Sequence, residues 1–223
     1  MNDWLRLPSG PDLRYLLGYL LLIDLLFFPI YGFCNWLTAQ RSAWLNLYIP
    51  AELAIPLIPW TLWIYLSMFL LFCLPLFTLP RPRVRGEALG AIVGLLVSAT
   101  LWLIFPGQLG FERVLPPGYE TMYGVLFALD RPHNLAPSLH VVFSTLVVLA
   151  CGRDAPRGAR LGLWLWLAAI AASTVLTHQH HLLDVAAGFV VAFASRALAL
   201  RYVGAVALSG FDGRAVLANE ERA

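Results

Sequence analysis

The sequence of 223 residues contains no lysine, and only 13% of its residues are charged. Soluble domains carry about 25% charged residues, so this chain has too little charge to cover a water-exposed surface. The missing lysine excludes any chemistry that needs a lysine side chain. The net charge of +2 comes without a clustered basic face, which excludes a nucleic-acid partner. Hydrophobic residues make up 60% of the chain, and its solvent is therefore expected to be mostly lipid.

Charge-free stretches predict six membrane spans. Four of these stretches contain no Asp, Glu or Arg, and each can hold a spanning helix of about 20 residues: 53–80, 88–111, 132–152 and 161–183. Two further apolar segments carry an interior charge, Asp24 in the first and Arg196 in the last. The predicted spans are 13–33, 55–79, 88–105, 137–151, 161–177 and 182–202. We therefore expect an all-α fold, with one six-helix membrane domain over residues 1–203 and a cytoplasmic tail at 204–223.

Arginine placement predicts the orientation, because cytoplasmic loops of membrane proteins carry an excess of basic residues. With six spans both termini share a side, and eleven arginines fall on that side against three on the other. The eleven are Arg6, Arg14, Arg81, Arg83, Arg85, Arg153, Arg157, Arg160, Arg201, Arg214 and Arg222, and the three are Arg41, Arg113 and Arg131. Both termini are expected to be cytoplasmic, and loops 34–53, 106–136 and 178–181 to face outward. Residues 118–130 of the longest outer loop are typical of a short amphipathic helix on the membrane surface.

The first chemical cluster is the pentapeptide Ala-Pro-Ser-Leu-His at 136–140, which opens the fourth predicted span. Proline suits the first turn of a helix, and the free amides of that turn form an anion site together with the helix dipole. Ser138 adds a hydroxyl donor, and His140 is placed to donate a proton to a bound group. The alternative is a plain helix start with an interfacial histidine.

The second cluster is Thr-His-Gln-His-His-Leu-Leu-Asp at 177–184. His180 and Asp184 are four residues apart, so they are expected to meet on one helix face. A carboxylate beside an imidazole fixes its tautomer and leaves the other ring nitrogen free as a nucleophile. A zinc site and a histidine cluster without function are the alternatives. Because the topology puts His140 and His180 at similar depth on the outer side, the two clusters together predict a phosphate-handling site.

These motifs resemble the type-2 phosphatidic acid phosphatase superfamily, in which Pro-Ser-x-His is followed about forty residues later by His-x-x-x-Asp. A narrower resemblance is to the branch that contains inositol-phosphorylceramide synthase and its bacterial relatives. It rests on Asp130, Asn134 and residues 137–140, together with the motif Thr177-x-Gln-His-x-x-Leu-Asp184. The resemblance implies that His180 becomes transiently phosphorylated, that Asp184 orients it and that His140 is the general acid. It also implies that Ser138 and the amides of Leu139 and His140 cradle the phosphate, without a metal or other cofactor.

Two cations of the superfamily pattern are missing from this chain. The usual lysine position is occupied by Gly124, and the arginine six residues before the nucleophile is replaced by Thr174. A phosphate in a low-dielectric site needs positive partners. We expect Arg131 first, then Arg113 and His178, to bind the phosphate.

The leading hypothesis is a multi-pass membrane enzyme, in a bacterial inner membrane, with its active site facing the periplasm. It would cleave a phosphoester of a lipid through a phosphohistidine, and pass the phosphate to water or to an alcohol or lipid acceptor. A polyprenyl diphosphate phosphatase, a metalloenzyme and a lipid or ion transporter are the alternatives. Asp24 and Arg196 would serve transport only if they were not a structural pair, and a structural pair is the favoured interpretation.

Overall fold

The computed structural model describes the backbone of residues 4–220 and the side chains of residues 4–206. Its helices are α1 (Gly10–Thr38), α2 (Leu62–Leu66), α3 (Met68–Cys73), α4 (Pro75–Thr78), α5 (Arg81–Ile104), α6 (Glu120–Leu129), α7 (Leu139–Gly152), α8 (Arg157–Leu176) and α9 (Leu182–Glu220), with short 3-10 turns at Pro50–Ala54 and Pro59–Thr61. Extended pairing in these residues is limited to one isolated bridge, Leu45 with Gly107. The predicted all-α fold class is confirmed. The Arg214 side chain, Arg222 and residues 221–223 of the expected tail lie outside the described residues.

Five segments of the described chain are long and apolar enough to span a membrane. They are Gly10–Thr38, Pro59–Thr78, Arg81–Ile104, Arg157–Leu176 and Leu182–Val206. The remaining predicted span, 137–151, is present as α7, but this helix has only 14 residues. At 1.5 Å per residue it extends about 21 Å, less than the roughly 30 Å of a hydrocarbon core. Helix α7 packs against α3, α4, α5, α8 and α9.

The second spanning segment is not one straight helix. It is divided into α2, α3 and α4 by breaks at Ser67 and at Leu74, the residue before Pro75. Proline lacks the N–H that a continuing helix would use, which explains the second break. At the first break, the Ser67 hydroxyl donates to the carbonyl oxygen of Ile64 at 2.5 Å and accepts from Nε1 of Trp166 at 2.8 Å. The broken segment packs against both α7 and α8.

The beginnings of α7 and α9 approach each other at Gly188. A Cβ atom at this position would lie 2.9 Å from Cβ of Val141 and 3.0 Å from the carbonyl oxygen of Ser138. Only glycine leaves room for this backbone approach, because a larger side chain would push the helices apart. The two sequence clusters therefore start on adjacent helices, side by side.

The expected pairing of Asp24 with Arg196 is wrong. Arg196 forms a two-pronged ion pair with Glu87 of α5, with Nε and Nη2 at 2.8 and 2.6 Å from the carboxylate oxygens. Asp24 is exposed on the outward side of α1. The physical reason is helix rotation: α9 directs Arg196 towards α5, whereas Asp24 lies on the face of α1 that the rest of the chain leaves uncovered.

Two helix boundaries bear on earlier expectations. The helix predicted within 118–130 is present as α6; Tyr123 is fully buried, whereas Leu129 is 71% exposed, so the helix is two-faced. The last helix does not end near residue 203, where the tail was expected to begin, but continues to Glu220. Residues 204–220 are rich in alanine, leucine and valine and contain no proline, so nothing in them stops a helix.

Candidate active site

Two hydrogen bonds fix the start of α7 against its neighbours. The amide of Ser138 donates to the carbonyl oxygen of Asp184 at 3.0 Å. Nε1 of Trp102, on α5, donates to the carbonyl oxygen of Pro137 at 3.1 Å. His140, in the first turn of α7, is thereby brought against His180, which lies in the turn before α9.

His180 and Asp184 meet as their spacing predicts. Nδ1 of His180 lies 3.2 Å from Oδ2 of Asp184, and the same oxygen accepts the amide of His181 at 2.8 Å. Asp184 is fully buried and His180 is 3% exposed. A buried carboxylate holds a proton on Nδ1, which leaves Nε2 of His180 with its lone pair.

The other ring nitrogen of His180 faces His140. Nε2 of His180 is 3.3 Å from Nδ1 of His140, and Nε2 of His140 is 2.5 Å from the hydroxyl of Tyr65. One set of proton positions satisfies the whole row: Tyr65 donates to His140, His140 donates to His180, and His180 donates to Asp184. The site is therefore a relay of four side chains that runs from Tyr65 through the two histidines to the carboxylate of Asp184.

The turn between α8 and α9 is held by one carbonyl. The carbonyl oxygen of Thr174 accepts the amides of both Gln179 and His180, each at 3.0 Å. Thr174 is fully buried, and its hydroxyl donates to the carbonyl oxygen of Ala171 at 2.8 Å. A rigid turn of this kind fixes the direction in which the His180 ring leaves the backbone.

A second acidic group lies beside the relay. Asp130, at the end of α6, accepts a hydrogen bond on Oδ1 from the hydroxyl of Tyr31. Burial raises the pKa of Asp130 above its ordinary value, and the Tyr31 hydroxyl, His180 and Arg113 oppose this rise. Asp130 also interacts electrostatically with Tyr65. Spacing rules did not find Tyr31 or Tyr65, because both lie in apolar helices where nothing local marks them.

The predicted phosphate-binding residues differ in their burial and in their contacts. The Ser138 hydroxyl is buried and has no hydrogen-bond partner among the described residues, and α7, which begins at Leu139, has no side chain that caps its first turn. Arg113 is half-buried: its guanidinium lies 4.8 Å from the ring centre of Phe127 and donates to the Phe127 carbonyl oxygen at 3.3 Å. Arg131, expected to be the first phosphate ligand, is exposed. The arginine that the structure brings to Asp130 is Arg113.

His178 is turned away from the relay. Its Nε2 lies 2.9 Å from the carbonyl oxygen of Ile55, and its ring stacks on Phe111 at 3.9 Å. Its backbone has a positive φ of 57°, and burial lowers its pKa. A ring committed to a carbonyl oxygen in this way is not directed at a phosphate beside His180.

The two remaining histidines are also committed to loop contacts. His181 is fully buried, with Nδ1 3.2 Å from Oε2 of Glu52 and Nε2 accepting the amide of Gly110 at 3.1 Å. His133 stacks on Trp44 at 4.6 Å and lies 3.2 Å from the carbonyl oxygen of Gly107. Both histidines therefore join outer loops to one another rather than face His180.

Comparison with known proteins identifies the family. A sequence model described as the PAP2 superfamily matches residues 33–198, which contain both clusters and most of the helical core. The chain belongs to the PAP2 superfamily. Its members are in general phosphatases and phosphotransferases. No curated protein and no solved structure matches the chain.

As a member of the PAP2 superfamily, the chain departs from the pattern at two cation positions, and the structure shows what occupies them. Gly124 lies on α6 with open space beside it, and Thr174 is enclosed in the core at the end of α8. Neither residue supplies a positive charge. Among the described side chains, no three His, Cys, Asp or Glu residues are grouped so that they could hold a metal ion.

Proposed function

We propose that this PAP2 superfamily protein is an integral-membrane enzyme that cleaves a phosphoester of a lipid through a phosphohistidine on His180. The observation that carries the proposal is the buried row from Asp184 through His180 to His140. It supplies an oriented nucleophile, Nε2 of His180, with a proton donor, Nδ1 of His140, next to it, and nucleophilic displacement at phosphorus requires both groups.

In the first half-reaction Nε2 of His180 attacks phosphorus, and the bond between phosphorus and the lipid oxygen breaks. The negative charge of the phosphate favours the imidazolium form of His140, which gives its Nδ1 proton to the leaving oxygen. Asp184 stabilises the positive ring of His180 as the P–N bond forms. The Ser138 hydroxyl and the free amides at the start of α7 would bind the phosphate oxygens without a metal ion.

In the second half-reaction a hydroxyl group, from water or from an alcohol or lipid acceptor, attacks the phosphohistidine. The charges around the relay favour a singly charged phosphodiester, and hence transfer of a headgroup. Arg113 supplies one positive charge for the phosphate, and the negative charge of Asp130, with which it interacts, partly offsets it. A phosphomonoester dianion would need more positive partners than this. Transfer of a headgroup is also consistent with the resemblance to inositol-phosphorylceramide synthase and its bacterial relatives.

The site is proposed to face the outer leaflet of a bacterial inner membrane. The relay lies at the beginnings of α7 and α9, and the arginine count places those ends opposite the cytoplasmic termini. In this arrangement α7 is one of six spans, the fourth along the chain, and it crosses the membrane inside the bundle, where α5, α8 and α9 pack around it.

The decisive experiment is a lipid screen with purified protein in detergent micelles. Free phosphate and new phospholipids are measured side by side, with and without alcohol acceptors, in the presence and absence of EDTA. We expect turnover that survives EDTA, together with an acid-labile phosphoenzyme. The variant His180→Ala should lose both. Turnover that persists in His180→Ala would contradict the mechanism, and loss of turnover in EDTA would favour a metalloenzyme.

A further inference from the structure

Asp130 is the one carboxylate beside the relay that the proposed first half-reaction does not use. It ends α6, where its amide donates to the carbonyl oxygen of Leu126 at 2.9 Å. Its Oδ1 is occupied by the Tyr31 hydroxyl. No hydrogen bond to Oδ2 is present among the described residues, and the side chain is only half-buried. Asp130 therefore keeps one oriented, accessible oxygen.

Helix α1 holds this carboxylate in place from two points. The Tyr31 hydroxyl binds Asp130, and two turns further along α1 the Thr38 hydroxyl donates to Oδ1 of Asn134 at 3.0 Å. Residues seven apart lie on the same face of a helix, so both ends of segment 130–134 are fixed to one surface. That segment leads directly into Ser138 and α7.

Four parts of the chain carry groups that interact with Asp130, Tyr31 through a hydrogen bond and the other three electrostatically. Tyr31 belongs to α1, Tyr65 to α2, Arg113 to the outer loop and His180 to the turn before α9. Tyr65 in turn touches His140 at 2.5 Å. Burial raises the pKa of Asp130, and a carboxylate made more basic in this way is a better proton acceptor near neutral pH.

We propose that Asp130, oriented by Tyr31, is the base of the second half-reaction. This inference rests on the proposed function. As the hydroxyl oxygen of the acceptor forms its bond to phosphorus, the P–N bond to His180 breaks and its electron pair returns to Nε2. The proton of the acceptor passes to Oδ2 of Asp130, which later releases it to solvent, and His140 regains from solvent the proton that it gave to the leaving oxygen. In this scheme His140 gives a proton to the leaving group, and Asp130 takes a proton from the acceptor.

The two half-reactions should respond to Asp130 in opposite ways. A negative charge near the phosphate repels it, so neutralising Asp130 removes a repulsion from the first half-reaction. The same change removes the proton acceptor from the second half-reaction, where general bases contribute about 10²–10⁴-fold. A residue that only held the fold together would slow both half-reactions alike.

The experiment follows the phosphoenzyme by rapid quenching, with phosphatidic acid and phosphatidylglycerol radiolabelled at phosphorus, and with water or added glycerol as acceptor. In Asp130→Asn we expect labelled enzyme to form at a rate within about threefold of wild type and to decay at least about 100-fold more slowly. Tyr31→Phe, which removes the orienting hydrogen bond, should slow decay by about tenfold. Glu120→Gln, which neutralises an exposed carboxylate in the first turn of α6, should change neither rate.

Several outcomes would overturn the inference. Decay at the wild-type rate in Asp130→Asn, or an equal slowing of formation and decay, would show that Asp130 is not the acceptor base. If Asp130→Asn does not fold, wild-type decay in Tyr31→Phe would overturn the role of the Tyr31–Asp130 pair. Absence of labelled wild-type enzyme with either lipid would overturn the proposed function itself. The two failures can be told apart. If label forms on His180 but Asp130→Asn does not slow its decay, the role of Asp130 is wrong and the proposed function stands.

Discussion

Two adjacent histidines with the same local chemistry occupy different environments. His180 and His181 are both buried, and each has Nδ1 3.2 Å from a buried carboxylate, Asp184 and Glu52 respectively. They differ at Nε2. In His180 this nitrogen faces the ring of His140, whereas in His181 it accepts the amide of Gly110. The Nε2 of His180 is paired with a second titratable ring, whereas the Nε2 of His181 is bound to a backbone amide of the outer loop.

The comparison shows that a histidine–carboxylate pair does not by itself identify a nucleophile. Glu52 orients His181, and it also accepts the amide of Leu182 at 2.9 Å, which holds the start of α9. The His181 ring is enclosed between Tyr48 and Phe111, each with its ring centre 4.5 Å away. This pair joins two outer loops to the helix that carries Asp184. These contacts position the segment, whereas the proposed reaction uses the neighbouring residue, His180.

The largest expected effect separates the two histidines directly. His180→Ala should lower lipid turnover by about 10⁴-fold or more, because it removes the group that forms the covalent intermediate. His181→Ala should lower turnover by about tenfold, through looser positioning of α9. Turnover is measured on purified protein in micelles, with elution volume as the control for folding. Equal losses in the two variants would remove the distinction.

The next effect compares the two carboxylates. Asp184→Asn should lower turnover by about 10³-fold, because an amide in place of the carboxylate no longer fixes the reactive tautomer of His180. Glu52→Gln should cost less than about tenfold, since the amide oxygen can still accept from His181 or Leu182. The phosphoenzyme should be lost in the first variant and retained in the second. A larger loss in Glu52→Gln would mean that its charge acts in catalysis.

How much of this site could be predicted depends on sequence distance. The spacing of His180 and Asp184 predicts that they meet on one helix face; the structure contains their contact, but His180 lies in the turn before α9. Counting spans predicts that His140 and His180 share an outer side, and they lie in contact. Both predictions use short-range spacing, span counting and the arginine distribution, so they do not depend on how the helices rotate against each other.

The remaining partners depend on helix rotation and on loop paths. Tyr65 reaches His140 across 75 residues, and Tyr31 reaches Asp130 across 99. Neither apolar helix has a local signal that marks one tyrosine as facing the site. The order of the arginines as phosphate ligands depends on the same loop paths, because Arg131 is exposed whereas Arg113, which is distant in sequence, interacts with Asp130.

A third prediction removes the positioning pair. Glu52→Ala leaves the His181 imidazole and the Leu182 amide without their acceptor, and lost buried hydrogen bonds cost about 1–3 kcal/mol each. We expect a lower free energy of unfolding and a melting temperature reduced by several degrees. Glu112→Ala, which removes an exposed carboxylate from the neighbouring outer loop, is the matched control and should leave the melting temperature unchanged. An unchanged melting temperature in Glu52→Ala would show that the pair does not support the fold.

The smallest expected effect is the pH dependence of stability that His181 contributes. Burial is the largest cause that lowers the pKa of His181, and Asp184 and Glu52 only partly oppose it. The folded protein therefore binds this proton less readily than the unfolded chain. Its contribution to stability is complete above the ordinary histidine pKa of about 6.5 and is lost as the pH falls below that value. His133 and His178 act with the same sign, since burial lowers their pKa values as well.

The measurement is the fall in melting temperature between buffers of about pH 7.5 and about pH 5.5, which lie on either side of the ordinary histidine pKa. Unfolding is followed by intrinsic fluorescence in detergent. We expect a smaller fall in His181→Asn than in wild type, by about 2 °C, whatever its absolute melting temperature. Glu112→Gln, which neutralises an exposed carboxylate of the outer loop, should keep the wild-type fall. If His181→Asn also kept it, His181 would be protonated in the folded protein. Its Nε2 could then not accept the Gly110 amide, and the contrast between the two histidines would not hold.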